Sequence, residues 1–225
     1  MLMDKIFLVS KYNSWSDNLN KLLQKDFNNC FYFNDDTYIN HLIEKPSWIF
    51  FFHWSKIVPK NVYDNHKCVV IHTGNLPKGR GGSPIQNQII DGVVESKVNA
   101  LVMGEELDAG DIYCSLPITL QGSLTDIWFS VIDRAFHLIK KCVNENPTPK
   151  KQTGTPQIYK RNKNNILPLE SNDNLVDIHK FIQMLDGGDY PNAFLKVGNY
   201  KLEFSRSKIN EDKIISDVII RKVNE

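Results

Sequence analysis

Residues 68–84 read CVVIHTGNLPKGRGGSP. Cys68, Val69, Val70 and Ile71 form a continuous apolar run of the kind a strand needs when it is covered on both faces. His72 ends that run, and from it to Pro84 there are four glycines and two prolines in thirteen residues. A buried strand that ends in a histidine and passes into a glycine-rich loop predicts a ligand crevice at the carboxyl edge of an open α/β sheet. The glycines let the backbone take a specific path and approach a ligand closely.

Upstream, 5–10 (KIFLVS), 30–33 (CFYF) and 48–52 (WIFFF) are short apolar runs rich in β-branched and aromatic residues, so each reads as a strand. Between the first two, Leu19, Leu22 and Leu23 recur at helical spacing within 18–25; 38–43 reads as a second helix or a turn. Strands alternating with helical segments predict an open, mostly parallel, Rossmann-like α/β sheet over the first 72 residues.

Downstream the pattern changes. Residues 83–90 predict a short helix with Pro84 in its permitted first turn. Residues 93–103 and 111–119 read as strands joined by a sharp connection, 104–110. Ser123 and Asp126 have capping-box spacing at the start of a long helix running to about residue 144. Its apolar face is Leu124, Ile127, Trp128, Val131, Ile132, Ala135, Phe136, Ile139 and Val143, a core stripe. The organisation expected is therefore a catalytic domain over 1–146, a polar connector over 147–165 and a small C-terminal α+β appendage over 166–225. In that appendage a helix is expected at 175–185 and strands at 193–197, 201–204 and 214–223.

The chain of 225 residues carries 27 Lys+Arg and 26 Asp+Glu, a net charge of +1, without the basic excess of a non-specific nucleic-acid binder. Its 41% hydrophobic residues suffice for a folded core. No apolar run approaches the roughly 20 residues of a membrane span. Met1-Leu2-Met3-Asp4-Lys5 lacks the features of a signal peptide. Cys30, Cys68, Cys114 and Cys142 form no CxxC pair, which argues against a structural zinc or a disulfide framework and for a reducing cytoplasm.

Two clusters stand out chemically. Arg80, one of only five arginines, lies beside Lys78 in the glycine-rich loop; two cations among glycines suit a pyrophosphate or a carboxylate. The loop is not a phosphate-binding P-loop, because Gly74-x4-Gly79 is followed by Arg80-Gly81. A dinucleotide fingerprint is missing too, since Ser10-Lys11-Tyr12-Asn13 contains no glycine. The second cluster, Glu105-Glu106-Leu107-Asp108-Ala109-Gly110-Asp111, packs four carboxylates between two strands. It reads either as a solvated acidic turn or as the source of a general base.

His72-Thr-Gly-Asn-Leu-Pro77, Arg80-Gly81 and Pro84, with Leu107-Asp108-Ala109-Gly110 following at Asp108, 36 residues after the histidine, resemble the folate-dependent formyltransferase family. Within it the loop looks closest to the sugar-nucleotide N-formyltransferases. The resemblance runs from about Trp48 to Val143, with Gln157 to Arg161 and Tyr190 to Phe194 similar to later signatures. It implies a formyltransferase-type α/β fold and formyl transfer from 10-formyltetrahydrofolate to a primary amine. On the family pattern His72 stabilises the oxyanion and Asp108 accepts a proton from the amine or orients His72. Trp54, Ser55, Lys56 and Ile57, with Met103, Glu105 and Leu107, line the folate site; Lys78, Arg80, Gly81 and Gly82 hold the substrate. No metal is implied. Val70 stands where the family has its catalytic asparagine, so either Asn75 substitutes or activity is weakened.

The acceptor that this reading implies is a nucleotide-linked amino sugar, first a dTDP-4-amino-4,6-dideoxyhexose and second a UDP-linked one, for surface polysaccharide. Nucleic acid is not expected as a partner, because the 60 C-terminal residues are few for a tRNA-binding domain and carry no basic excess, and membrane is not expected because no apolar run is long enough to span one. A homodimer is expected. The alternatives are glycinamide ribonucleotide formylation, hydrolysis of the formyl folate, and a catalytically degenerate folate- or nucleotide-binding module.

Overall fold

The computed structural model describes residues 4–169, 174–188 and 190–223. Met1, Leu2 and Met3, on which the absence of a signal peptide partly rested, lie outside them, as do 224–225 at the end of the expected appendage. Strands β1 (Ile6–Ser10), β2 (Cys30–Phe33), β3 (Trp48–Phe52) and β4 (Cys68–Thr73) are parallel. After the short strand β5 (Lys78–Gly81), β6 (Glu95–Val102) and β7 (Ile112–Thr119) return antiparallel. The six-stranded sheet runs β2-β1-β3-β4-β6-β7. This is the open, mostly parallel α/β sheet expected from the sequence, with the direction of pairing changing at β4, where the cross-strand partner of His72 is Asn99.

The order reverses beside β1, so the crevice lies beyond the carboxyl ends of β1, β3 and β4. β1 and β3 are buried over their whole length, which explains their unbroken apolar runs. Each large side chain so buried contributes about 1.5–3 kcal/mol. One face carries helices α1 (Ser14–Asp26) and α4 (Leu124–Glu145); Trp15 of α1 stacks on Trp128 of α4 with centroids 5.9 Å apart. The opposite face gathers Phe7, Tyr38, Phe51, Val58 and Val62 under a 3-10 helix (Asp36–Glu44) and α2 (Lys60–Asn65), a helix not anticipated. Helix α3 (Pro84–Ile90) follows the glycine-rich loop.

The capping box is formed: the Ser123 hydroxyl accepts from the Asp126 N–H at 3.1 Å, and the Ser123 N–H donates back to Asp126 at 3.2 Å. Two thiols distant in sequence meet between β7 and α4, Cys114 Sγ lying 3.8 Å from Cys142 Sγ.

The segment expected as a plain connector is woven into the fold. Lys150 and Ile112 exchange both backbone bonds, at 2.8 and 2.9 Å. Strand β8 (Gln157–Tyr159) then pairs parallel with β5. Burial, followed by its hydrogen bond to Asp91, pushes the Tyr159 phenol up, so its O–H remains a donor to that carboxylate at 2.6 Å. Beyond it come α5 (Leu175–Gln183) and a three-stranded antiparallel sheet of β9 (Ala193–Val197), β10 (Tyr200–Asn210) and β11 (Lys213–Lys222), with β11 at its edge. β10 is longer than its apolar core at 201–204 announced, because Lys208, Ile209 and Asn210 go on pairing with β11 past a bulge. Among the described residues no helix is long and apolar enough to cross a membrane.

Candidate functional site

His72 sits at the end of β4 with its side chain only 7% exposed, and Asp108 on the 103–111 loop is equally buried. His72 Nδ1 lies 3.4 Å from Asp108 Oδ2, an ion-pair separation, while Nε2 lies 2.8 Å from the Gly79 carbonyl oxygen. Both ring nitrogens thus face acceptors. An imidazolium satisfies both with N–H groups; a neutral ring satisfies one. The carboxylate has a second donor, the Gly81 N–H at 2.9 Å.

Backbone shape makes this meeting possible. Asp108 has φ +52°, a left-handed conformation that aspartate tolerates better than most residues. Two residues on, a Cβ at Gly110 would lie 1.8 Å from the Val102 carbonyl oxygen, so only glycine lets the loop fold back against β6. Gly81, at φ +97°, is equally constrained: a Cβ there would meet the Tyr159 oxygen at 2.4 Å.

Several expected roles change. Asn75 is not the missing amide: its Nδ2 donates to the Glu95 carbonyl at 2.8 Å and closes the turn after β4. Asn99, opposite His72, is the nearest amide by register, a residue the sequence reading passed over as ordinary strand. It is fully committed, its Nδ2 donating to Gly74 O at 2.8 Å and His72 O at 3.3 Å and its Oδ1 accepting from Ser115 at 2.6 Å. Val70, half-buried, pairs with Leu101, so no polar group stands at that step of the strands.

Arg80 is not a surface clamp. Its side chain is 9% exposed, and it donates through Nε and Nη2 to Gln152 Oε1 at 3.1 and 2.9 Å and through Nη1 to Glu106 at 3.2 Å. Gly81 and Gly82 do not offer free amides either, since the first binds Asp108 and the second donates to Tyr159 O at 3.0 Å. The exposed cations here are Lys78 of the loop and Arg161 of the segment after β8. The latter lies so close to Gly82 that a Cβ there would meet the Arg161 Cβ at 2.9 Å.

Of the residues expected to line a folate site, Trp54 and Met103 pack against one cluster with Phe51, Val58 and Val62. The Trp54 Nε1–H is buried without a partner. A buried donor beside an apolar wall fits a flat heterocycle that carries acceptors at its edge. Ile57 and Leu107, 95% and 67% exposed, are apolar side chains left to solvent on the two flanking loops. Ser55 and Glu105 are exposed, and Lys56 lies over the Trp54 ring while paired to Asp36. Among the described residues no group of three His, Cys, Asp or Glu side chains could hold a metal ion.

A family profile described as "Formyl transferase" matches residues 9–127, and one described as "Methionyl-tRNA formyltransferase, C-terminal domain" matches 163–221. The second match removes the ground on which a tRNA substrate was excluded, the small size of the C-terminal segment. The chain is 28% identical over 169 residues to the methionyl-tRNA formyltransferase of Campylobacter curvus, a match covering 72% of this chain and 54% of that protein. It thus spans about half the length of that curated relative. A solved methionyl-tRNA formyltransferase from Clostridium thermocellum superposes with a TM-score of 0.86 at 33% identity, covering 97% of this chain and 99% of that one. A sugar N-formyltransferase from Shewanella sp. shares the fold at TM-score 0.67 and 19% identity, covering 90% and 96%. With a profile spanning more than half its residues around the His72–Asp108 pair, the chain belongs to the formyl transferase family.

Proposed function

We propose that the protein transfers the formyl group of 10-formyltetrahydrofolate to the primary amine of a nucleotide-linked amino sugar, with a dTDP-4-amino-4,6-dideoxyhexose as first choice. The buried His72–Asp108 pair at the carboxyl edge of β4 carries this reading. The bound formyl folate supplies an activated one-carbon unit. With Nδ1 kept on Asp108, His72 turns its Nε2–H from the Gly79 carbonyl to the formyl oxygen as negative charge builds there. Asp108, held by Gly81 and facing Nδ1, accepts the proton that the attacking nitrogen loses, directly or with His72 as intermediary, and the same pair returns a proton to the folate nitrogen as its bond to the formyl carbon breaks. The half-buried Trp54 and Met103 flank the pterin side, and Lys78 with Arg161 provide the cations for a pyrophosphate. Four free thiols suit a cytoplasmic reaction.

A second reading, formylation of an aminoacyl-tRNA, is favoured by one observation. Residues 146–169 hold Lys150, Lys151, Lys160, Arg161 and Lys163 with no acid, all exposed, and Arg161 packs against Gly82 of the loop. The deciding assay presents the protein and 10-formyltetrahydrofolate with dTDP- and UDP-amino sugars, glycinamide ribonucleotide and methionyl-tRNA. A formyl mass gain on a sugar nucleotide alone is expected. Product on methionyl-tRNA alone overturns the sugar reading, and folate binding without any product overturns both.

We also infer a homodimer through β11. This edge strand exposes Val218, Ile219 and Ile220. An antiparallel twofold centred on Ile219 sets Val218 opposite the partner's Ile220 and Asp217 opposite the partner's Arg221, a self-complementary register. Sedimentation is expected to show a dimer that Ile219→Lys converts to monomer. A monomeric parent protein, or a dimeric variant, sinks the assignment.

A further inference from the structure

The structure holds a residue that no motif signalled, at the point where the catalytic loop needs support. Asp108 stands in a left-handed conformation on a loop whose neighbours Glu105, Glu106 and Leu107 are exposed to solvent. Within that loop the bond from Ala109 N–H to Glu106 O is long, at 3.3 Å. Its main chain is instead gripped from outside. Gln152 Nε2 donates to Asp108 O at 2.8 Å and to Gly110 O at 2.9 Å, while Gln152 Oε1 accepts both Arg80 Nε and Nη2. A primary amide has two N–H groups and two lone pairs, and here all four are used.

The two loops so joined are the two halves of the Asp108 environment. The 78–81 strand contributes the Gly81 N–H that binds the carboxylate, and the 103–111 loop contributes the carboxylate itself. Gln152 is itself held firmly. Two residues before it Lys150 is bridged to Ile112, and five residues after it Gln157 donates to Pro77 O at 3.1 Å and starts β8 against β5. The connector is therefore a strap anchored on both sides of one amide.

We propose that Gln152 is a positioning residue for the reaction, holding Asp108 at its working separation from His72 by clamping the Asp108 and Gly110 carbonyls to the Arg80 guanidinium. This rests on the formyl-transfer reading for its kinetic consequence, not for its geometry. Charge and shape make the claim separable from simple packing. Gln152→Glu keeps an acceptor for Arg80, and a stronger one, but sets carboxylate oxygens against the Asp108 and Gly110 carbonyls. The upper half of the clamp survives and the lower half is lost.

The test compares the parent protein with Gln152→Glu and Gln152→Asn, the latter one methylene too short to reach both loops. In formylation of the accepted amine, kcat is expected to fall about tenfold to a hundredfold, the scale of a misplacement near 1 Å. KM for the folate should stay within about threefold. In parallel, the NMR signals of the His72 imidazole ring should move in both variants toward those seen in Asp108→Asn. A purely structural role leaves those signals at their parent positions. If Gln152→Glu does not fold, Gln152→Asn is read alone. Folded variants with parent kcat and parent His72 signals overturn the proposal. If the parent protein formylates no amine, the His72 signals still decide the role of Gln152, while the formyl-transfer reading falls separately.

Discussion

His72→Asn is expected to lower the turnover number about a thousandfold, the combined scale of losing a proton-transfer group and an oxyanion donor. The substitution is chosen to spare the fold. His72 ends β4, its backbone is held by pairing with β6, and an asparagine Nδ2 takes the place of the ring Nδ1 that faces Asp108. What disappears is Nε2, the ring nitrogen that faces the Gly79 carbonyl at 2.8 Å and lies beyond the reach of the shorter side chain. No neighbour compensates. Val70 is apolar, Asn75 is bound to Glu95, and Asn99 has both its amide groups committed. Single-turnover formylation, with thermal unfolding and folate binding as controls, measures the effect. A variant within about tenfold of the parent rate removes His72 from the chemistry.

Asp108→Asn is expected to cost about a thousandfold to ten-thousandfold in kcat with even less effect on stability. Asparagine tolerates φ +52° as aspartate does, and its Oδ1 can still accept the Gly81 N–H. The oxygen that accepts from Gly81 is also the one 3.4 Å from His72 Nδ1, so a neutral amide oxygen replaces a charged carboxylate oxygen beside the ring. The site keeps its shape and loses both the proton acceptor and the charge that supports an imidazolium. Turnover measured across the neutral pH range separates this from a folding defect. A near-parent rate at any pH in that range shows that another group takes the proton.

Much of this was legible along the chain. The apolar runs at Trp48–Phe52 and Cys68–Thr73, the capping box at Ser123, and the strand-end His72 are local patterns, because burial on both faces, helix-end hydrogen bonds and strand periodicity each leave a signature within a few residues. The pairing of His72 with Asp108 was readable only as two motifs at a fixed separation, and the resemblance joined them. The burial of Arg80 was not readable. A guanidinium among glycines looks the same on paper whether it meets solvent or a glutamine 72 residues away.

By itself, then, the sequence determined the layers of the fold, the carboxyl-edge location of the site and the two residues at its centre. The first two follow from side-chain type and short-range periodicity, and the two central residues from the family resemblance. Tertiary structure alone decided which polar groups remain available. Asn75, Arg80, Gly81 and Gly82 were all plausible ligands until their hydrogen bonds were assigned, and Gln152 was an unremarked residue in a polar connector. The reason is physical. A buried polar group must find partners, those partners come from wherever the chain folds back, and a group already satisfied has little left to offer a substrate.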